Sequence, residues 1–233
     1  NETAVCNLGS INLGEHMHEQ SFDFDKLAST VERAVRQLDR VIDLNFYPIA
    51  SAERSNSRWR PVGLGLMGLQ DVFFKLRLAF DSAEALALST RISETIYYHA
   101  LSTSCELAEQ HGAHPAFAET RAAKQHLQFD LWAEKSCTLD WQPLKERIAL
   151  HGLRNSLLIA IAPTATIASI AGCYECIEPM VSNLFKRETL SGDFLQVNRY
   201  LVDELKKLGL WNDETRDRLK MAEGSIQDIP NIP

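Results

Sequence analysis

Residues 156–162, SLLIAIA, are apolar without alternation and stop at Pro163. A strand half exposed to water alternates between apolar and polar residues, whereas a strand covered on both faces does not. A parallel sheet flanked by helices is the setting that covers both faces. The run therefore predicts a buried strand in an α/β layer. Much of the remaining chain has helical period. Asp25 opens a helix on which Leu27, Val31, Ala34, Leu38, Val41 and Ile42 recur at three- and four-residue steps, with Pro48 beyond its end. Asp81-Ser82-Ala83-Glu84 is a cap with an acid close behind it. It starts a helix whose apolar face runs through Leu86, Ile92, Ile96, Ala100, Cys105 and Leu107 and which stops at Gly112. That helix would be roughly 45 Å long at 1.5 Å per residue. Asp140 caps another helix ending near His151-Gly152, and two more are expected near 194–208 and 213–222. The stretch RPVGLGLMGLQDVFFKL is apolar almost all round. Pro61 suits a first helical turn, and Gly63, Gly65 and Gly68 suit a buried helix that a neighbouring backbone approaches closely. TAVCNLGSINL reads as a short strand and a turn, and residues 113–139 as irregular. The fold class is helix-rich α/β.

Composition removes several function classes. A formal net charge of -7 over 233 residues argues against a nucleic-acid groove built on bulk positive charge. It leaves room for a small phosphate, which a few backbone N–H groups can hold locally. The longest apolar run is interrupted by Pro163 and by threonines, so no transmembrane segment is expected. The five cysteines, Cys6, Cys105, Cys137, Cys173 and Cys176, are odd in number and irregular in spacing. This is not the pattern of a secreted disulfide scaffold, and a reducing cytoplasm is the expected location.

The turn after the expected buried strand carries the chemistry. Pro163-Thr164-Ala165-Thr166 is rich in hydroxyls, and Ile167-Ala168-Ser169 begins a helix. Ligands gather at the carboxyl ends of strands in α/β sheets, and small side chains let a phosphate reach the main chain. The turn can be an anion cradle, or Thr164 or Thr166 can simply cap a helix. It is not a Walker loop, since no Gly-Lys-Ser/Thr occurs.

Other motifs read more plainly. Cys173-Tyr174-Glu175-Cys176 has metal or redox spacing but no second ligand pair, and two small side chains packed behind the turn are the simpler reading. The seven histidines form no ligand pattern, and no metal site is expected. His16 and His18 read as part of a solvated polar loop, Tyr97-Tyr98 as core, and Glu214 to Lys220 as a solvated helix face. Cys6, at a strand position, reads on spacing alone as a small core hydrophobe.

Four segments in order, AVCNLGSINL, HGLRNSLLIAIAPTATIASIAG, CIEPMVSNLFKRETLSGDFLQVN and GLWNDETRDRLKMAEGSIQDIP, resemble the large subunit of class I ribonucleoside-diphosphate reductases. The resemblance spans nearly the whole chain. It implies a portion of a ten-stranded α/β barrel, with residues 1–233 as one piece of that catalytic domain cut at both ends. It also implies an activity: replacement of the ribose 2′-hydroxyl of a ribonucleoside diphosphate by hydrogen, through a thiyl radical and a reducing cysteine pair. By that resemblance Pro163, Thr164, Ala165, Thr166, Ile167 and Ala168 hold the substrate diphosphate. Ile167 stands where the family often has a hydroxyl. Cys6 becomes the second member of the reducing pair.

The partners so implied are a small subunit whose metal centre supplies the radical, thioredoxin or glutaredoxin as reductant, and a second copy in a homodimer. Nucleotide effectors bind elsewhere in the full-length protein, and no cofactor is expected in this chain. The family's Asn-x-Cys-x-Glu radical motif does not occur in the chain and is expected shortly before Asn1, with the other reducing cysteine. The tyrosine pair and tail cysteines are expected beyond Pro233. A piece with one thiol and the phosphate loop is expected to be inactive alone. The alternatives are a non-catalytic phosphate-binding module of the same fold, or the adenosylcobalamin-dependent class.

Overall fold

The computed structural model describes residues 2–132, 137–189 and 192–233. The chain divides into two compact units, Asn1–Ile177 and Glu178–Pro233. The first begins with strand β1 (Asn7–Asn12), a 3-10 turn, and two short antiparallel strands, β2 (Met17–His18) and β3 (Ser21–Phe22). Helix α1 (Phe24–Leu44) comes next. It starts slightly earlier than its apolar repeat suggests, because Asp23 is the cap and its carboxylate accepts the Lys26 N–H at 2.8 Å. After α2 (Ala50–Trp59) come strand β4 (Val62–Met67), α3 (Leu69–Leu76) and the long α4 (Ala83–His111). The ends of α4 are as expected: the Ser82 hydroxyl accepts the Ala85 N–H at 3.1 Å, and Gly112 closes the helix at φ 85. Its buried stripe holds Ile92, Ile96, Ala100, Cys105 and Leu107. Leu86, expected on that stripe, is 70% exposed, because in the first turn it is Ala85, 1% exposed, that faces the core. Three short 3-10 turns, α5 (Gln142–His151) and α6 (Ala165–Ala171) complete the unit.

Residues 62–67 correct the expectation of a buried helix. All six are buried, but as a strand. The glycines do mark close backbone approach, and the neighbours are strands. A Cβ on Gly63 would lie 2.5 Å from Leu8 Cδ2, and one on Gly65 would lie 2.5 Å from the Ala160 carbonyl oxygen. β1 pairs with β4 in parallel, from Asn7 opposite Val62 to Asn12 opposite Met67. On the other side, Val62 N–H donates to the Leu157 carbonyl (3.0 Å), Leu64 N–H to Leu158 (2.7 Å), and Ala160 N–H to Leu64 (3.1 Å). Leu64 and Ile159 form a parallel bridge. The layer is therefore β1, β4 and the 157–160 segment, all running one way.

The doubly covered strand is thus β4, and the 156–162 run lies at the layer's edge. Leu158 is buried, while Leu157 is 65% and Ile161 46% exposed. An apolar run shows that a surface wants cover without saying which chain segment supplies it. The expected α/β, helix-rich character holds, and a closed ten-stranded barrel is not seen among the described residues. The core packs α1, α4 and α5 with the layer through Leu13, Leu27, Val31, Val35, Leu64, Phe73, Ile92, Leu144 and Ile148.

The second unit holds β5 (Leu184–Thr189), β6 (Gly192–Val197), α7 (Arg199–Lys207) and α8 (Asp213–Met221). The helix expected near 194–208 begins only at Arg199. Asn198 caps it by accepting the Tyr200 and Leu201 N–H groups, and the β-favouring Phe194 and Val197 before it pair with β5. Val202, Leu205, Leu219 and Ile229 are buried in this unit. α8 carries exposed charge pairs such as Arg218–Glu214, as a solvated face should.

Candidate functional site

The amino end of the parallel layer is tied by buried charge. Arg60, left-handed at φ 44 and 5% exposed, precedes β4. Its guanidinium donates to Asp39 Oδ1 (2.9 Å) and the Asp39 carbonyl (3.0 Å), and to both carboxylate oxygens of Asp43 (2.7 and 3.0 Å). Burial would lower the Arg60 pKa, but its hydrogen bonds to Asp43 and Asp39 outweigh it and raise the value. The same bonds hold Asp43 below the ordinary carboxylate range. Asn155, fully buried, donates to Asp39 Oδ1 (2.8 Å) and the Arg60 carbonyl (3.1 Å), while its own Oδ1 accepts the Ser104 hydroxyl (2.9 Å). Asn155, just before the apolar run, therefore clasps α1, α4 and the start of the 157–160 segment together. Nothing in its spacing discloses this, because the partners lie 51 to 116 residues away.

Further clasps bind the same unit. Glu94, in the apolar stretch of α4, accepts from Thr138 N–H, the Thr138 hydroxyl, Leu139 N–H and the Trp141 indole, all within 3.0 Å. Burial alone would raise its pKa, yet these donors hold it below the ordinary value. A glutamate among Ile92, Thr95 and Ile96 is the sequence signal for it. Burial pushes the Cys105 thiol up to about 11, so it is packing material. His16 corrects its expected place in a solvated loop. It is 4% exposed, with its ring nitrogens 3.0 Å from the Asn12 carbonyl and the Thr30 hydroxyl, and burial lowers its pKa. His18 is exposed as expected, and Tyr97 and Tyr98 pack against Trp141 in the core.

The carboxyl end is built differently. Thr164 is left-handed at φ 55 and 8% exposed. Its side chain makes no capping bond to α6, so the capping alternative fails for this residue. Its hydroxyl oxygen instead accepts the Cys176 N–H at 2.8 Å. The first bond within α6 runs from Ala168 N–H to the Thr164 carbonyl at 2.8 Å. The N–H groups of 166 and 167 come before it, in the first turn of a helix, where the chain behind offers no helical acceptors. Pro163, Ala165, Thr166 and Ile167 are exposed, and Ala168 is buried beneath them. The bend is open to solvent, with Pro163, Ala165, Thr166 and Ile167 at its surface.

Neither Cys173 nor Cys176 forms a disulfide; Cys176 is buried and Cys173 half-buried, and their loop is bonded to the bend through Thr164 and Ala168. Gly68, closing β4 at φ 77, donates its N–H to the Tyr174 carbonyl at 2.9 Å. The bend is therefore at the carboxyl edge of the layer. Cys6 is exposed, not a core residue as spacing alone suggests, and it precedes the amino end of β1. The six residues of β1 span about 20 Å, so the layer's length separates the thiol from the bend. The structure brings Thr164, Cys176, Tyr174 and Gly68 together and leaves Cys6 apart from them. Among the described residues, no three His, Cys, Asp or Glu side chains cluster as metal ligands, and no helix is long and apolar enough to cross a membrane.

A parallel layer flanked by helices, with a backbone bend at its carboxyl edge, is an α/β arrangement. A family model described as the ribonucleotide reductase barrel domain matches residues 1–233, and the chain belongs to that family. Its relatives include the ribonucleoside-diphosphate reductase large subunit of Danio rerio, 48% identical over all of this chain and 30% of that protein. The large chain of Schizosaccharomyces pombe is 47% identical over all of this chain and 29% of its own length. Large chain 2 of Saccharomyces cerevisiae is 44% identical over all of this chain and 28% of its own. The chain thus spans about 30% of the length of the curated relatives it matches.

Proposed function

We propose that this chain is part of the ten-stranded catalytic barrel of a ribonucleoside-diphosphate reductase and supplies its substrate-phosphate loop and one reducing thiol. The observation that carries the reading is the bend at 163–168. The segment that resembles the family's diphosphate loop is, in space, an exposed left-handed turn with main-chain N–H groups at the carboxyl edge of a parallel layer. Thr164, Ala165, Thr166 and Ile167 offer donors to the diphosphate, Pro163 ends the strand, and Ala168 packs beneath. The missing hydroxyl at Ile167 matters little if its N–H makes the contact.

Cys6 is one thiol of the reducing pair, a role that requires the assembled barrel to bring this thiol, at the other end of the layer from the bend, within reach of the same nucleotide. In the reaction a ribonucleoside diphosphate and two thiols become a 2′-deoxyribonucleoside diphosphate, water and a disulfide. Exchange with a dithiol protein such as thioredoxin or glutaredoxin restores the pair. The exposure of Cys6 suits that exchange. The radical comes from a metal-containing small subunit, and the reductase works as a homodimer with effector sites outside this chain.

Turnover of cytidine diphosphate by the full-length protein with its small subunit and a dithiol tests the assignment. Cys6→Ser is expected to lose turnover to background while binding cytidine diphosphate as before. Parental turnover in Cys6→Ser would remove the thiol from the reaction. Ala165→Asp, which sets a carboxylate against the diphosphate, is expected to abolish binding.

A further inference from the structure

Threonine is branched at Cβ, and a left-handed backbone crowds that branch. Thr164 nevertheless sits at φ 55, so its surroundings must hold it there. The holding contact is the 2.8 Å hydrogen bond from the Cys176 N–H to its hydroxyl oxygen, between two buried residues. Cys176 is itself left-handed, at φ 47, and it too needs an anchor. Two residues earlier, Tyr174 is gripped at both of its main-chain groups. Its N–H donates to Asp71 Oδ2 at 2.7 Å, and its carbonyl accepts the Gly68 N–H at 2.9 Å. Asp71 is 1% exposed, in the first turn of α3. The Cys173 N–H donates to the Ala168 carbonyl at 3.0 Å, closing the loop back onto α6. Loop 173–176 is thus fastened to the end of β4 and the start of α3 on one side, and to the Thr164 hydroxyl on the other.

We propose that Asp71 is a positioning residue for the substrate loop: through Tyr174 and Cys176 it keeps Thr164 left-handed, and so sets the direction in which the backbone of 164–167 meets a diphosphate. The proposal rests on the proposed role of this bend as a nucleoside-diphosphate site. Asp71 is reached from the ligand only through protein. Its requirement is an acceptor oxygen at the end of a short side chain, which asparagine also has and alanine lacks.

The test uses the full-length reductase, with cytidine diphosphate as the probe in equilibrium binding and in turnover with the small subunit. Asp71→Ala is expected to weaken binding about tenfold, the scale of one lost buried hydrogen bond. KM should rise with it, while kcat changes less than about twofold, because only ground-state and transition-state binding common to both is lost. Asp71→Asn should stay within about threefold of the parent, since it keeps the acceptor. Asp71→Ala/Thr164→Val should bind no more weakly than the weaker single variant, because both changes cut one chain of contacts.

Parental affinity in Asp71→Ala, with Ala165→Asp abolishing binding, overturns the positioning role and leaves the loop reading standing. Parental affinity in Ala165→Asp overturns both. Should Asp71→Ala not accumulate folded, amide exchange in Thr164→Val decides. Faster exchange at Tyr174 and Cys176 supports the linkage, and unchanged exchange at both overturns it.

Discussion

The two ends of the parallel layer are both fastened by buried polar groups, and they are fastened for different ends. At the amino end an arginine is bonded to two aspartates and an asparagine. Its charges are matched within the protein, and α1, α4 and the layer meet there. At the carboxyl end the fastening is a short relay in which the side-chain oxygens of Asp71 and Thr164 accept the main-chain N–H groups of Tyr174 and Cys176, and it stops short of the surface. The N–H groups of residues 166 and 167, before the first bond of α6, lie beyond it. The first fastening ties helices to the layer, whereas the second holds a stretch of backbone from behind and leaves residues 165–167 exposed in front of it.

That contrast can be broken by experiment. The largest expected effect is at the amino end. Asp39→Ala leaves a buried guanidinium with half its partners, which should cost about 3–5 kcal/mol. Chemical unfolding followed by circular dichroism reads it as a lower midpoint at unchanged slope. A loss under about 1 kcal/mol would mean that Asp43 alone satisfies Arg60 and that the clasp is not the anchor.

A smaller effect concerns His114, at the same end. It is 2% exposed beside Trp59 and Phe117, and neither ring nitrogen completes a hydrogen bond. Burial lowers its pKa. The nearby Arg58 carbonyl and Glu119 carboxylate pull upward without restoring it, and the carbonyl misses hydrogen-bond geometry. A folded-state pKa below the unfolded one means the unfolded chain takes up the proton first. Stability is therefore full above about pH 6.5 and declines as pH falls below it, by at most about 1.4 kcal/mol per pH unit for one proton. His16, also lowered by burial, contributes with the same sign. His114→Phe should flatten part of that slope in unfolding measured from pH 7 to 5, and an unchanged slope would assign the dependence elsewhere. The smallest stability effect is expected at the carboxyl end. Thr164→Gly relieves a left-handed strain while losing one hydrogen bond, so unfolding should move by less than about 1 kcal/mol. Binding of cytidine diphosphate should nevertheless weaken. A large loss of stability there would erase the distinction between the two ends.

Local chemistry is legible in the sequence, and lateral placement is not. The caps and stops of α4 and the end of α5 come from groups within a few residues: Ser82, Gly112 and Gly152. The bend at 163–168 is visible because Pro163 and the small residues beside it act locally. Residues 62–67 mislead because an apolar run rich in glycine fits any buried element, and only the strands on each side decide between them. Arg60, Asp39, Asn155 and Asp71 carry no signal, since each becomes meaningful only through a partner far along the chain. The separation of Cys6 from the bend is of the same kind: the motifs name both, and only strand register measures the distance between them.

β4 places Gly63 and Gly65 toward one side and Val62, Leu64 and Leu66 toward the other. The side chains of a strand repeat every two residues, so a slip by one position would thrust leucines into gaps that do not admit even a methyl group. The middle strand therefore acts as a key with a single fitting position, and everything downstream of the layer, the diphosphate bend included, inherits its address from two missing side chains.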